Sequence, residues 1–291
     1  MTQRRVAAAL AILLAAAAGL SLLHVLAARP EPVIRAQSRQ LGVLPGLSKL
    51  SAAQLAALPE ARYDAVIAAL LPTAGAADAD TAYRLKKDTV VYAADRATPT
   101  ARLAARDFLG EPSVVVPVES SGDWLRVLTP ARQRLPSTGA NSAGTNSLGA
   151  LAPAQTSAWL RADSLSSPTM LVSRIIVSVS AQTLRIIGVG SRTWPVGVGA
   201  PGTPTPVGVT GYLQARYRDA AQGQAEHPIQ LTSLHSTAAD EPFGGNDGGL
   251  IGIHFQASAS GARSHGCIRV PLEALAAVDA LPLGTLITIE G

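Results

Sequence analysis

The sequence has 291 residues, enough for one large domain or two modest ones with a sizeable buried core, and so excludes a stapled mini-protein. Apolar residues make up 47% and charged residues only 15%, a balance that excludes a wholly disordered chain. Lys and Arg number 24 against 20 Asp and Glu, but Arg4, Arg5 and Arg29 open the chain without an acid. With a net charge near +1 beyond residue 30 and no basic stripe interleaved with aromatics, no nucleic-acid partner is expected.

Arg4 and Arg5 precede 18 residues, Val6 to Leu23, with no charge, which predicts an export segment over residues 1–29. It reads as either a cleaved signal peptide or an uncleaved membrane anchor, with the remainder translocated. No cysteine lies nearby for lipid attachment. Residues 30–80 read as a linker with short helices: Pro30 and Pro32 lead away from the apolar run, and Ser48 to Leu71 is alanine-rich with a Ser51/Gln54 capping pair. Pro59 limits the first helix to little more than two turns.

Short β-type runs follow at Thr89 to Ala93, Ser113 to Val118, Trp124 to Leu128 and Ser157 to Arg161, a spacing that suits a small barrel over residues 81–165. Trp124 and Trp159 read as core residues of a rigid spacer, with cell-wall binding as the other reading. Pro136 to Pro153, rich in Ser, Gly, Asn and Ala, reads as a loop. From residue 169 the alternation sharpens. Ile175, Val177 and Val179 precede a turn at Ala181-Gln182, then Leu184 and Ile186, and Trp194, Val196 and Val198 continue what reads as an antiparallel meander. Pro201 to Gly208 contains three prolines, Pro201, Pro204 and Pro206, which mark a turn or rigid edge.

The chemistry concentrates at Ile251-Gly252-Ile253-His254 and Ser264-His265-Gly266-Cys267-Ile268-Arg269. The sole cysteine excludes an intrachain disulfide and any multi-cysteine zinc site. A free thiol has a pKa of about 8.5, so a nucleophilic cysteine needs a neighbouring base, and His254 and His265 are the candidates. Backbone N–H groups of residues 265–267 are placed to receive an oxyanion, with Gly266 allowing close approach. Plainer readings stand beside these. Cys267 reads alternatively as an inert buried thiol, His254 as an ordinary strand residue, His265 as a structural hydrogen-bonder, and Arg269 as an ion-pair partner of Glu273. Zinc held by Cys267, His254 and His265 or His235 matches no standard spacing, so no metal and no cofactor are expected.

These residues resemble the signature of the L,D-transpeptidase catalytic domain, the enzymes that cross-link peptidoglycan stem peptides through a cysteine acyl-enzyme. The Ile175 to Leu184 hairpin, Gly199, Thr203-Pro204-Thr205-Pro206, Gly208 and Gly244-Gly245 extend the similarity over residues 169–291. Upstream, Val91-Tyr92, Val114 to Val116 and Gly122 to Val127 resemble bacterial SH3-like barrels of envelope proteins. The resemblance implies a mainly β protein: an L,D-transpeptidase-like β sandwich or barrel preceded by a small SH3-like barrel and an N-terminal signal or anchor helix. It implies Cys267 as nucleophile, His254 as base, and His265 and Gly266 at the oxyanion region. Ser264, Arg269, His235 and Ser236 would line or support the substrate site. The substrates would be peptidoglycan stem peptides in the cell envelope, with carbapenems as covalent inhibitors. An L,D-carboxypeptidase on the same site and a non-catalytic wall-binding protein are the alternatives. His254 and Cys267 stand 13 positions apart, a shorter span than the family usually shows, and Phe255 replaces a residue that is commonly small there.

Overall fold

A computed structural model describes residues 50–140, 152–188, 190–238 and 249–291. The expected export segment, the start of the linker and most of the Ser/Gly/Asn-rich stretch lie outside the described residues, as do Gly244-Gly245. Ser48–Gly291 forms one compact unit, mainly β.

The unit opens on α1 (Ala52–Ala56), where the capping box forms as read: Gln54 N–H donates to Ser51 Oγ and Ser51 N–H to Gln54 Oε1. The helix lasts little more than one turn, less than the alanine content suggests. Beyond Pro59 the backbone bonds to Arg102 instead, and Ala61, Ile67 and Leu70 sink into a β core, so burial overrides propensity. The segment read as linker therefore supplies part of the module that follows.

That module holds β1 (Leu71–Pro72), β2 (Thr81–Leu85), β3 (Thr89–Tyr92), β4 (Pro99–Leu103), β5 (Val114–Val115), β6 (Pro117–Ser121) and β7 (Trp124–Thr129). After α2 (Pro136–Ala140), a helical turn where the sequence suggests only loop, come β8 (Thr156–Arg161) and β9 (Leu165–Met170). One sheet runs β4-β3-β8-β7-β6 with β1 on β8, and a second runs β5-β2-β9. Alternation along β3, β7 and β8 sends Val91, Val127, Ala158 and Leu160 into the main module core. It sends Tyr92, Trp124 and Trp159 to the opposite face, where they form a separate buried cluster beneath Arg96 and Arg161.

The remainder holds β10 (Ser173–Ser178), β11 (Thr183–Gly188), β12 (Arg192–Pro195), β13 (Gly197–Gly199), β14 (Val209–Asp219), β15 (Gln224–His235) and β16 (Leu250–Phe255). It closes with β17 (Gly261–Ser264), β18 (Ile268–Val270), α3 (Leu272–Asp279) and β19 (Leu286–Glu290). The hairpin forms as expected, Ile175 opposite Ile186 and Val177 opposite Leu184, and β12 extends it. The meander then ends. β13 leaves to pair parallel with β17 and antiparallel with β18, and β19 takes the free edge of β10 in parallel. The result is a mixed sheet ordered β12-β11-β10-β19-β14-β15-β16-β18-β13-β17. α3 links β18 to β19 and buries Ala274, Leu275 and Val278 against it.

Module and C-terminal sheet share buried surface. Ala82, Val116 and Leu128 pack with Tyr212 and Leu286, and hydrogen bonds cross the boundary. Ser233 Oγ donates to Gln155 Oε1 at 2.6 Å, and His235 N–H donates to Ala154 O at 2.9 Å.

Candidate active site

β16 and β18 run parallel, with Ile253 opposite Ile268 and His254 opposite Arg269. Both isoleucines are fully buried in the core. Strand alternation therefore puts Gly252 and His254 on the opposite face, and continuing the register sets Cys267 beside Gly252 on that face. A Cβ at Gly252 would stand 3.9 Å from Cys267 Sγ. The short span between His254 and Cys267 is bridged by β17, anchored on β13.

The His254 ring is half-buried, with Nδ1 3.1 Å from Phe255 O. A carbonyl only accepts, so Nδ1 carries the proton and Nε2 keeps its lone pair. Burial lowers the His254 pKa below 6.5; the bond to Phe255 O opposes that shift and the Arg269 charge adds to it. The imidazole is thus a neutral base at pH 7. Gln224 Nε2 also donates to Phe255 O, at 3.1 Å, while the Phe255 ring packs edge-on against His227 with the ring centroids 4.9 Å apart.

The segment before β18 is held from below by the proline-rich turn. Thr205 Oγ1 accepts from Gly199 N–H and donates to Gly266 O, both at 2.8 Å. Ala200 N–H and Thr203 Oγ1 donate to Ser264 O, at 2.8 and 3.0 Å, and Ser264 Oγ donates to Cys267 O. A Cβ on Gly199 would lie 2.3 Å from Thr203 O, so this close approach requires glycine. Gly266 adopts φ 101°, and a Cβ there would meet Ile251 Cδ1 at 2.9 Å. Gly266→Ala is expected to cost about 1–3 kcal/mol of stability and to displace Cys267. Chemical denaturation beside a thiol-alkylation rate checks both; an unchanged rate would contradict the displacement.

Of the other expected site residues, His265 is exposed, Ser264 is buried and Arg269 is half-buried, its Nε without a hydrogen-bond partner among the described residues. No ion pair joins Arg269 to Glu273 among the described residues. Ser236 is buried, its Oγ bonded to Ala238 O.

His235 is 1% exposed, and its Nε2–H donates to Pro130 O at 2.8 Å. Burial, helped by the Arg132 charge and opposed by the Pro130 bond, lowers its pKa to about 3. The unfolded chain, near 6.5, then binds a proton that the folded chain refuses, so stability is full above pH 6.5 and falls as pH drops below it. At pH 5 the loss is roughly 2 kcal/mol. Urea midpoints at pH 7.5 and pH 5 should show this loss in the parent and its absence in His235→Gln.

A cavity of about 590 Å³ brings the groups together. Cys267, His254 and Tyr217 line it from the C-terminal sheet, and Tyr63, Phe108 and Arg132 from the module. Cys267 Sγ lies 3.8 Å from Leu250 O. Tyr217 has its pKa raised, mainly by burial; a bond from Gln222 opposes this, and the nearby Asp219, Cys267 and Tyr63 raise it further, so its hydroxyl stays protonated.

Residues 173–289 match the family model for the YkuD L,D-transpeptidase catalytic domain. This C-terminal region is similar to that family. Solved structures similar to the chain include L,D-transpeptidase 1 of Mycobacterium tuberculosis, at 18% identity and TM-score 0.30 over 47% of this chain and 78% of that one. An L,D-transpeptidase from Mycobacterium smegmatis aligns at 16% identity and TM-score 0.32, over 58% and 91%. A further M. tuberculosis L,D-transpeptidase aligns at 15% identity and TM-score 0.35, over 78% and 98%. No curated protein matches the chain.

Within the matched region the sequence singles out His254, Ser264 to Cys267 and Arg269, and the pairing of β16 with β18 sets His254 beside Arg269 and, continued, Gly252 beside Cys267. It misses Tyr217, Gln224 and the Phe255 carbonyl. None of these carries a local signal: a tyrosine and a glutamine on long strands look like any others, and a main-chain acceptor has no side-chain identity.

Proposed function

We propose that the protein is a peptidoglycan L,D-transpeptidase working through a Cys267 thioester. The observation that carries this reading is a neutral His254 with its proton on Nδ1, on the same sheet face and in the same cavity as the only cysteine. Cys267 Sγ attacks the carbonyl of the third residue of a tetrapeptide stem while His254 Nε2 takes the thiol proton. The oxyanion is received by backbone N–H groups around His265 to Cys267, with Gly266 allowing the approach. The intermediate collapses, breaking the amide bond to the terminal D-alanine, and His254 returns the proton to the leaving amine. The amine of a neighbouring stem then attacks the thioester and gives its proton to His254; the C–S bond breaks, closing the cross-link, and His254 returns that proton to the leaving thiolate. No cofactor enters the sequence.

Ser264 holds the Cys267 carbonyl, and Arg269 acts by keeping His254 neutral. His235 serves the cavity wall and Ser236 lies behind it rather than touching substrate, since both have polar contacts turned to backbone carbonyls. The apolar run at residues 6–23 supports an extracytoplasmic site of action in the cell envelope. An SH3-like identity for that module rests on the Val91, Val114 and Gly122–Val127 runs.

The test is product analysis after incubation with purified disaccharide-tetrapeptide. A dimer one D-alanine lighter than two monomers supports transpeptidation. Tripeptide monomer alone would assign the carboxypeptidase reaction to the same cysteine. Neither product, at any protein concentration, would sink the enzyme reading in favour of a wall-binding protein.

A further inference from the structure

We infer that Arg132, supplied by the module and not by the C-terminal region, is a positioning residue for Cys267: its guanidinium holds the backbone on which the thiol rests. Arg132 is buried. Its Nη1 donates to Ser236 O at 3.3 Å and its Nη2 to Gly249 O at 3.2 Å, so one planar group ties the end of β15 to the start of β16. Gly249 O also takes the Ser236 N–H at 3.1 Å. The next carbonyl along the chain, Leu250 O, is the one 3.8 Å from Cys267 Sγ. Displacing Gly249 therefore displaces the groove that seats the sulfur.

The donor is itself fixed. Arg132 N–H donates to Ala65 O at 2.9 Å, and Arg132 O accepts from Ile67 N–H at 2.8 Å. Two residues earlier, Pro130 O accepts the His235 ring proton, so the same short segment grips β15 twice. Arg132 also lines the cavity that contains the thiol. On this reading the module is part of the enzyme, and a C-terminal domain expressed without it would carry the motif but not the geometry.

The inference rests on the proposed role of Cys267 as nucleophile, so its test is chosen to separate the two. The full-length protein is compared with Arg132→Met and Arg132→Lys, measuring alkylation of Cys267 by iodoacetamide and acylation by a carbapenem with intact mass detection. Val91→Ala, a cavity in the module's own core, serves as the control of matched thermal midpoint. Arg132→Met should slow both reactions about tenfold. Arg132→Lys should recover part of the rate, because it restores a cation and one donor but not the two-point fork. Val91→Ala should react like the parent.

Parent rates in Arg132→Met, or equal slowing in Val91→Ala, would overturn the inference. If Arg132→Met does not fold, the Lys variant decides: slower than Val91→Ala at equal thermal midpoint supports the positioning role, and a parent rate overturns it. A parent that takes no carbapenem and alkylates like free cysteine would sink the nucleophile reading. The ratio of variant to parent alkylation still decides the positioning role in that case.

Discussion

Replacing Cys267 by alanine should abolish the covalent carbapenem adduct and lower turnover of a tetrapeptide stem by at least about 10⁴-fold. The chain has one cysteine, so a single adduct mass in the parent can be assigned to sulfur without mapping. The thiol is half-buried, 3.8 Å from Leu250 O and beside Gly252, so its removal should change stability by no more than about 1 kcal/mol. Loss of activity can therefore be separated from loss of fold by a thermal melt. An adduct on the variant, or turnover equal to the parent, would remove Cys267 from the mechanism.

His254→Ala should reduce turnover by roughly 10²–10⁴-fold while leaving Cys267 open to alkylation. The ring Nδ1–H is committed to Phe255 O, and that carbonyl keeps the Gln224 bond when the ring is gone. Because burial and the Arg269 charge hold the His254 pKa below 6.5, the base stays neutral as pH falls to that value. The acid limb of the rate profile should accordingly lie below pH 6.5 in the parent. Arg269→Met removes one of the two depressing causes and should move that limb upward. A limb that does not respond, measured by single-turnover acylation across pH, would show that His254 is not the group titrating.

Several parts of this arrangement were legible before any fold was known. The Ser51/Gln54 cap is a local exchange of hydrogen bonds within four residues, and it forms where the pattern places it. The hairpin of β10 and β11 follows from alternation and a short turn at Ala181-Gln182, where Gln182 takes a positive φ. The Ser264 to Arg269 motif draws attention in the sequence because it sets the one thiol beside a histidine and a glycine. Where local signals competed with burial they lost: the alanine-rich stretch after Ala56 unwinds because Ala61, Ile67 and Leu70 are worth more inside the module than in an exposed helix.

The sequence by itself thus determined the β character and which cysteine and which histidines are the candidates for the chemistry, since these are written in residues at most a few positions apart or in a motif with one sulfur. Only the tertiary structure decided that β13 leaves the meander, that β19 pairs parallel with β10, that Phe255 O selects the His254 tautomer, and that Arg132 reaches Ser236 across 104 positions. The physical reason is that alternation says which side of a strand is buried but not which strand lies beside it. That choice depends on which apolar faces and which leftover backbone groups satisfy one another across the whole chain.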